Sequence, residues 1–282
     1  MQYTIQNEKL SICVDSFGAQ LCSVKQGEKE WLWQNPTGNW AGHSPLLFPI
    51  CGAVSCIING VHYPMERHGF ARKSEFTLTA QGADFLRFTM QSNEQTKVMY
   101  PYDFTYHVTY RIQGAKLIIE HVVQNDGDTP MYFMCGGHES FNLPANVENY
   151  VIEFEKEERF IHHYHSETGM TGKTHDYGTG RFLPVPSTLM QDGITAVFPD
   201  IQSRKVWLCE KDGKRLAEIT FAPEFKNLLL WRALNDCFIC IEPWTNILDD
   251  DGAPDVEFSE KKGVVKVEVG EVKRLVRSVE YL

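Results

Sequence analysis

Phe104-Thr105-Tyr106-His107-Val108-Thr109-Tyr110-Arg111-Ile112 is the stretch that decides the fold. Large apolar side chains stand at every second position, with Thr, His and Arg between them. Successive side chains of an extended chain point to opposite faces, so one face is set for a core and the other for the surface. Leu10, Ile12 and Val14 alternate in the same way with Ser11 and Cys13, as do Val265, Val267 and Val269 with Lys266 and Glu268. Turn chemistry separates the runs, at Gln113-Gly114, Asn125-Asp126-Gly127-Asp128 and Asp212-Gly213. The second of these turns lies between a run at Leu117 to Val123 and another at Met131 to Met134, which predicts a hairpin.

Sustained helical periodicity is missing, and stretches such as 222–233 read equally as strands. The chain is therefore expected to be all-β, a large antiparallel β-sandwich. No linker or composition shift divides it, which predicts one domain over residues 1–282. Glu167 to Gly180, with glycines at 169, 172, 178 and 180, reads as a long loop within the strand series.

Apolar residues make up 43% of the chain and aromatics 12%, enough to offset the entropy lost on folding. Against 27 Lys and Arg stand 37 Asp and Glu, and a net charge of −10 repels phosphate backbones and anionic membranes. The N-terminal residues lack the basic start and apolar stretch of a secretory signal, and no run approaches the ~18–20 apolar residues of a membrane span. A cytoplasmic protein is expected, with no nucleic-acid or membrane partner.

Eight cysteines sit mostly in apolar runs, as small buried hydrophobes do. Cys237-Phe238-Ile239-Cys240 has the C-x-x-C form. Positions three apart in a strand face opposite sides, so core thiols are expected here rather than a redox pair. His162-His163-Tyr164-His165 follows the acidic run Glu153 to Glu158 and has no suitably spaced Cys or carboxylate partner. Asp249-Asp250-Asp251-Gly252 fails the EF-hand spacing, which puts Ile247 at the first position and Phe258 at the last. No nucleotide-binding glycine loop or nucleophile elbow is present. Neither a cofactor nor a metal is expected.

Four segments concentrate Trp, His, Pro and Gly. They are Leu32 to Gly52 (with Trp33, Trp40 and Pro45), Tyr63 to Arg72, Gly136 to Pro144, and Cys240 to Trp244. Indole and phenol faces pack on the C–H faces of pyranose rings, and His, Arg, Asp and Asn give directional hydrogen bonds to hydroxyls. A lone Trp reads as core. Several, each beside polar side chains and chain breaks, suggest a sugar site. His138 after Gly136-Gly137, and Glu242 at the end of an apolar strand, supply one candidate acid and one candidate base. The plain alternatives are a satisfied core histidine and a structural ion-pair partner, with Arg67 and Arg72 as surface residues.

Taken in order, several blocks resemble the aldose 1-epimerase (galactose mutarotase-like) family. They are Gly18-Ala19-Gln20-Leu21-Cys22-Ser23, Trp33-Gln34-Asn35-Pro36, Ser44-Pro45-Leu46-Leu47-Phe48-Pro49, His68-Gly69-Phe70, Tyr100-Pro101-Tyr102-Asp103-Phe104, the His138 block and Glu242-Pro243-Trp244. The likeness covers almost the whole chain and is nearest to a shorter bacterial branch with the Glu-Pro-Trp ending. It implies a supersandwich of antiparallel sheets with the site in a concave face. It also implies an isomerase that interconverts the α and β anomers of a hexose, with a small-molecule sugar as partner. A monomer or weak homodimer is expected. The family's general-acid His falls on His138, its general-base Glu on Glu242 and a substrate-binding His on His68. An Asp that hydrogen-bonds sugar hydroxyls falls on Asp192, with Asp200 the poorer match. Trp40, Asn142, Arg67 and Arg72 complete the candidate substrate contacts.

Two positions depart from the family pattern. Gly52-Ala53 stands where the family often has Gly-Arg, so Arg67 or Arg72 is expected to reach the site instead. The hexose-phosphate branch carries His-Gly-Phe-Ala-Arg, as His68 to Arg72 does here. Glu139 stands where Pro is usual after the acid His, with an effect on the loop, on the His138 pKa or on neither. Two alternatives to the epimerase therefore stay open: a sugar-binding or regulatory protein without catalysis, and a hexose-6-phosphate 1-epimerase. With ordinary pKa values of about 4.3 and about 6.5, Glu242 is ionised at neutral pH, and His138 serves as the acid where a nearby carboxylate raises its pKa.

Overall fold

The computed structural model of the protein describes residues 1–233 and 236–282, with the backbone alone at 191–192. Strand accounts for 51% of the chain and helix for 7%. The alternating stretch becomes the strand Phe104–Gln113, with its five large apolar side chains buried. It belongs to a thirteen-stranded antiparallel sheet. From one edge twelve of its strands run in the order Glu139–Asn142, Phe238–Trp244, Asn227–Trp231, Ala196–Phe198, Tyr150–His165, Lys205–Glu210, Arg215–Phe221, Val272–Tyr281, Lys116–Asn125, Phe104–Gln113, Phe85–Gln91 and Thr77–Gln81, and the thirteenth, Met170–Pro184, pairs off this path with Tyr150–His165.

A second, four-stranded sheet is formed by Gln2–Gln6, Ser11–Asp15, Gln20–Gln26 and Lys29–Glu30. It packs on the large sheet to make a sandwich. The Tyr3 ring lies 5.6 Å from that of Phe88, and Trp31 lies 5.0 Å from Tyr281. The Tyr110 hydroxyl crosses the layers to donate to the Ala19 carbonyl at 2.7 Å. Among the described residues no helix is long and apolar enough to cross a membrane.

Two expectations about connections are corrected. Glu167 to Gly180 is not a loop. Met170–Pro184 is a strand that pairs with Tyr150–His165, and their ladder is broken by three shifts of register. Gly172 and Gly178 take positive φ there, and bulges absorb such residues within an edge strand. Nor does Asn125 to Asp128 close a hairpin. Met131–Phe133 pairs instead with Val265–Val267. The buried Asn125 amide donates to the Thr129 and Val267 carbonyls, which turns the chain out of the large sheet toward that second partner.

Candidate active site

Phe238–Trp244 lies between Glu139–Asn142 and Asn227–Trp231, and all seven of its residues are buried. Glu139 pairs with Ile241 and Ser140 with Cys240, and an isolated bridge joins Gly136 to Trp244. Both contacts fix the same register, which sets His138 opposite Glu242. Opposed residues in antiparallel strands share a face, so imidazole and carboxyl meet, with His138 Nε2 3.6 Å from Glu242 Oε1. The two side chains are far apart in sequence, and the strand pairing alone brings them together.

They open into a cavity of about 230 Å³ that is also lined by Trp40, Arg67, His68, Arg72, Trp231 and Trp244. The Trp40 ring lies parallel to His138 with centroids 5.4 Å apart and meets Trp231 edge-on at 5.1 Å. Asn35 and Trp33 hold it in place. The Trp40 amide donates to Asn35 Oδ1 at 3.2 Å, and the Trp33 indole donates to the Trp40 carbonyl at 3.2 Å. A larger cleft of about 770 Å³ lies elsewhere, by Lys73, Thr89, Gln91 and Met99. It has no imidazole in its walls, so it lacks the paired imidazole and carboxyl of the smaller cavity.

His68 and Gly69 both take positive φ, at 67° and 70°. The turn points His68 back at Gly52, whose amide donates to His68 Nδ1 at 3.0 Å. That leaves the ring proton on Nε2, a donor for a ligand oxygen. Gly69 is required here, because a Cβ would fall 2.2 Å from the Phe48 carbonyl oxygen. Gly69→Ala is expected to lower the unfolding free energy by about 1–3 kcal/mol through backbone strain. The check is a urea titration in which the midpoint falls while the slope is unchanged. A variant as stable as the parent would mean that the turn relaxes freely.

Burial dominates the electrostatics. It pushes the His138 imidazole down to about 4, with smaller effects from nearby charges. It pushes the Glu242 carboxyl well above the usual carboxylate range, and the neighbouring Glu139 adds to that shift. His68 is held well below its ordinary value by burial, then by His138, Arg72 and Arg67. The expectation of an ionised Glu242 and a readily protonated His138 is therefore corrected. Desolvation outweighs the pairing that was expected to raise the histidine. The Glu242 oxygens have no hydrogen-bond partner among the described residues, and the Trp244 indole donates instead to the Gly137 carbonyl at 3.1 Å.

Glu139 points to the other face of the sheet. It forms a buried ion pair with Arg277 and accepts from the Ser44 hydroxyl at 2.9 Å. Arg277 Nε donates to His121 Nε2 at 3.3 Å, and His121 Nδ1 meets the Tyr106 hydroxyl at 2.8 Å. A Cβ at position 137 would lie 2.9 Å from a Glu139 oxygen, so Gly137 makes room for this network.

The remaining candidates divide. Arg67 and Arg72 both reach the cavity, and Arg67 also borders the cleft that contains Ala53. Asn142 does not reach it. Its amide donates to the Glu30 carbonyl at 3.3 Å and ties the sheet edge to the N-terminal strands. The Asp192 side chain lies outside the described residues, and Asp200 lines a different cavity beside Asn227. Cys240 is buried as expected, but Cys237 is exposed because it precedes the strand. Trp231 and Thr195 line the site without having been singled out by the sequence, and Cys240 and His165, which the sequence reading set aside as a core thiol and as part of a histidine run without metal partners, adjoin or line it as well. Their apolar or loop settings carry no local signal, and strand pairing is what places them. His165 is fully engaged, accepting from the Thr195 amide at 3.1 Å and contacting the Ser166 carbonyl at 2.7 Å.

Comparison with known proteins agrees with this architecture. The family model described as aldose 1-epimerase matches residues 1–241, ending one residue before Glu242. The chain belongs to the aldose 1-epimerase family. It is 32% identical over 268 residues to the chromosomal Protein LacX of Lactococcus lactis subsp. lactis, covering 88% of each chain. Among solved structures, a galactose mutarotase related enzyme from Lactobacillus acidophilus superposes with a TM-score of 0.90 at 26% identity, covering 100% of this chain and 97% of that one. A galactose mutarotase-like protein from Lactobacillus casei ATCC 334 gives 0.89 at 26% identity, with both chains covered completely.

Proposed function

We propose that the protein is a hexose 1-epimerase that interconverts α and β anomers by proton transfer through His138 and Glu242. The observation that carries this reading is an imidazole and a carboxyl 3.6 Å apart, buried at the floor of a small Trp-walled cavity. The cavity, about 230 Å³, is below the roughly 300–1,000 Å³ of sites for larger ligands, in keeping with a monosaccharide.

Ring opening removes the proton of the C1 hydroxyl and delivers one to the ring oxygen as the C1–O5 bond breaks and the C1 carbonyl forms. Rotation about C1–C2 presents the other face of the aldehyde, and the same transfers run backward to close the ring. The dyad holds one exchangeable proton, either as carboxylic acid with neutral imidazole or as carboxylate with imidazolium. These are two forms of one coupled pair, and burial favours the uncharged one. Each group then acts as acid in one direction and as base in the other, with Trp40 and Trp231 as platforms for the sugar.

The pH dependence follows. A second proton on His138, below about 4, removes the base. Loss of the Glu242 proton, well above the ordinary carboxylate range, removes the acid. The profile of kcat/KM is expected to have its acid limb near about 4 and a plateau that continues through neutrality. Ordinary pKa values would instead confine activity to a narrow peak between about 4.3 and about 6.5, and that outcome would refute the uncharged pair.

The test of the function is NMR exchange or polarimetry on α-glucose and α-galactose. Acceleration above buffer supports the epimerase, and sugar binding without acceleration supports a non-catalytic sugar-binding protein. One observation favours a phosphorylated substrate as a second reading. Arg67 and Arg72 line the cavity with three histidines, while Glu242 is its only carboxyl among the described residues. Arg72 Nε is buried with no partner there. Acceleration confined to hexose 6-phosphates would select this alternative.

A further inference from the structure

We infer that His138, Cys240 and Glu242 form a binding site for a soft divalent cation such as Zn²⁺, whose occupancy switches the proton-transfer pair off. Among the described residues this is the one group of three or more His, Cys, Asp or Glu side chains whose ligand atoms converge, all within 4.8 Å of one another and all buried. The sheet makes the cluster. Cys240 lies two residues before Glu242 in one strand and so shares its face, and His138 stands opposite Glu242.

The donors are a nitrogen, a sulfur and an oxygen, the set that zinc takes at roughly 2.0–2.3 Å. At a tetrahedral angle such bonds put ligand atoms about 3–4 Å apart, so a small inward shift completes the geometry. Both Glu242 oxygens are buried and have no partner among the described residues, which leaves their lone pairs free for a ligand, and the His138 nitrogen that faces them is Nε2, 3.6 Å from Oε1. Three protein ligands leave a fourth position toward the cavity that His138 and Glu242 line, which is also the route of entry. A dication that replaces the thiol and carboxyl protons leaves the charge of this buried cluster unchanged. The sulfur and the shortage of oxygen donors select against Mg²⁺ and Ca²⁺.

The three converging side chains suffice for cation binding. Only the effect on activity rests on the proposed epimerase. The experiment titrates the chelator-stripped protein with Co²⁺ alone and then with Zn²⁺ alone. One equivalent of Co²⁺ is expected to give a thiolate-to-cobalt charge-transfer band, which Zn²⁺ bleaches. Cys240→Ser is expected to abolish the band, to weaken zinc at least tenfold and to make whatever anomer exchange it retains insensitive to zinc. Cys237→Ser, at the exposed thiol, is expected to change neither. No band in the parent protein overturns the proposal without reference to any variant. A band that survives in Cys240→Ser overturns it as well. A band that is lost in Cys240→Ser, in a protein that accelerates no sugar, supports the metal site and removes the epimerase reading.

Discussion

His138→Ala and Glu242→Gln are each expected to slow anomer exchange by about 10²–10⁴-fold, the usual worth of a positioned proton-transfer partner. The loss is expected in kcat, with KM little changed, because in the proposed function Trp40, Trp231, His68 and the arginines hold the sugar and the dyad moves its protons. Glu242→Gln keeps the shape of the side chain and removes the transferable proton. The double variant is expected to be little worse than either single one, since a relay that lacks one member has already failed. Saturation-transfer NMR on each variant measures the rates, and thermal melts close to that of the parent separate chemistry from folding. If either variant retains parental kcat, proton transfer through this pair is wrong.

The strands that build the large sheet are legible where burial differs between the two faces. Phe104–Gln113 is the example, since its apolar side chains recur at every second residue. Met170–Pro184 is not legible for the converse reason. It lies at an edge with most residues exposed, so no alternation marks it, and its glycines resemble loop chemistry. The turn at Asn125 misleads because local sequence reports where a chain bends and not which strand it pairs with next.

The same division runs through the site. His138 and Glu242 stand out in the sequence because each is a titratable residue in an otherwise apolar or glycine-rich setting. Cys240 looks like any core thiol, and only the register places it beside them. The directions of the pKa shifts are not legible either. They depend on how completely the cavity excludes water, a property of the assembled sheet. Asn142 shows the limit of motif reading, since it lies in a segment that points to the site while its amide turns away to the N-terminal strands.

Glu139 gives the second large expected effect. Its carboxylate and the Arg277 guanidinium are 1% and 2% exposed, so each ion is compensated almost entirely by the other. Arg277→Met removes the cation and leaves the carboxylate with only the Ser44 hydroxyl, which is expected to cost about 3–5 kcal/mol. For a chain of this size that corresponds to a melting point lower by roughly 6–20 °C. The paired variant Glu139→Leu with Arg277→Met removes both charges and is expected to recover most of the loss, so a double-mutant cycle isolates the coupling. The same variant bears on the site. Glu139 contributes to the upward shift of Glu242 from the far side of the strand, so without it the alkaline limb of the pH profile is expected to move down, and because the Arg277 charge helps to hold His138 down, the acid limb is expected to move slightly up. A cycle with no coupling would reduce the ion pair to packing. An alkaline limb that does not move would show that burial alone sets the proton affinity of Glu242.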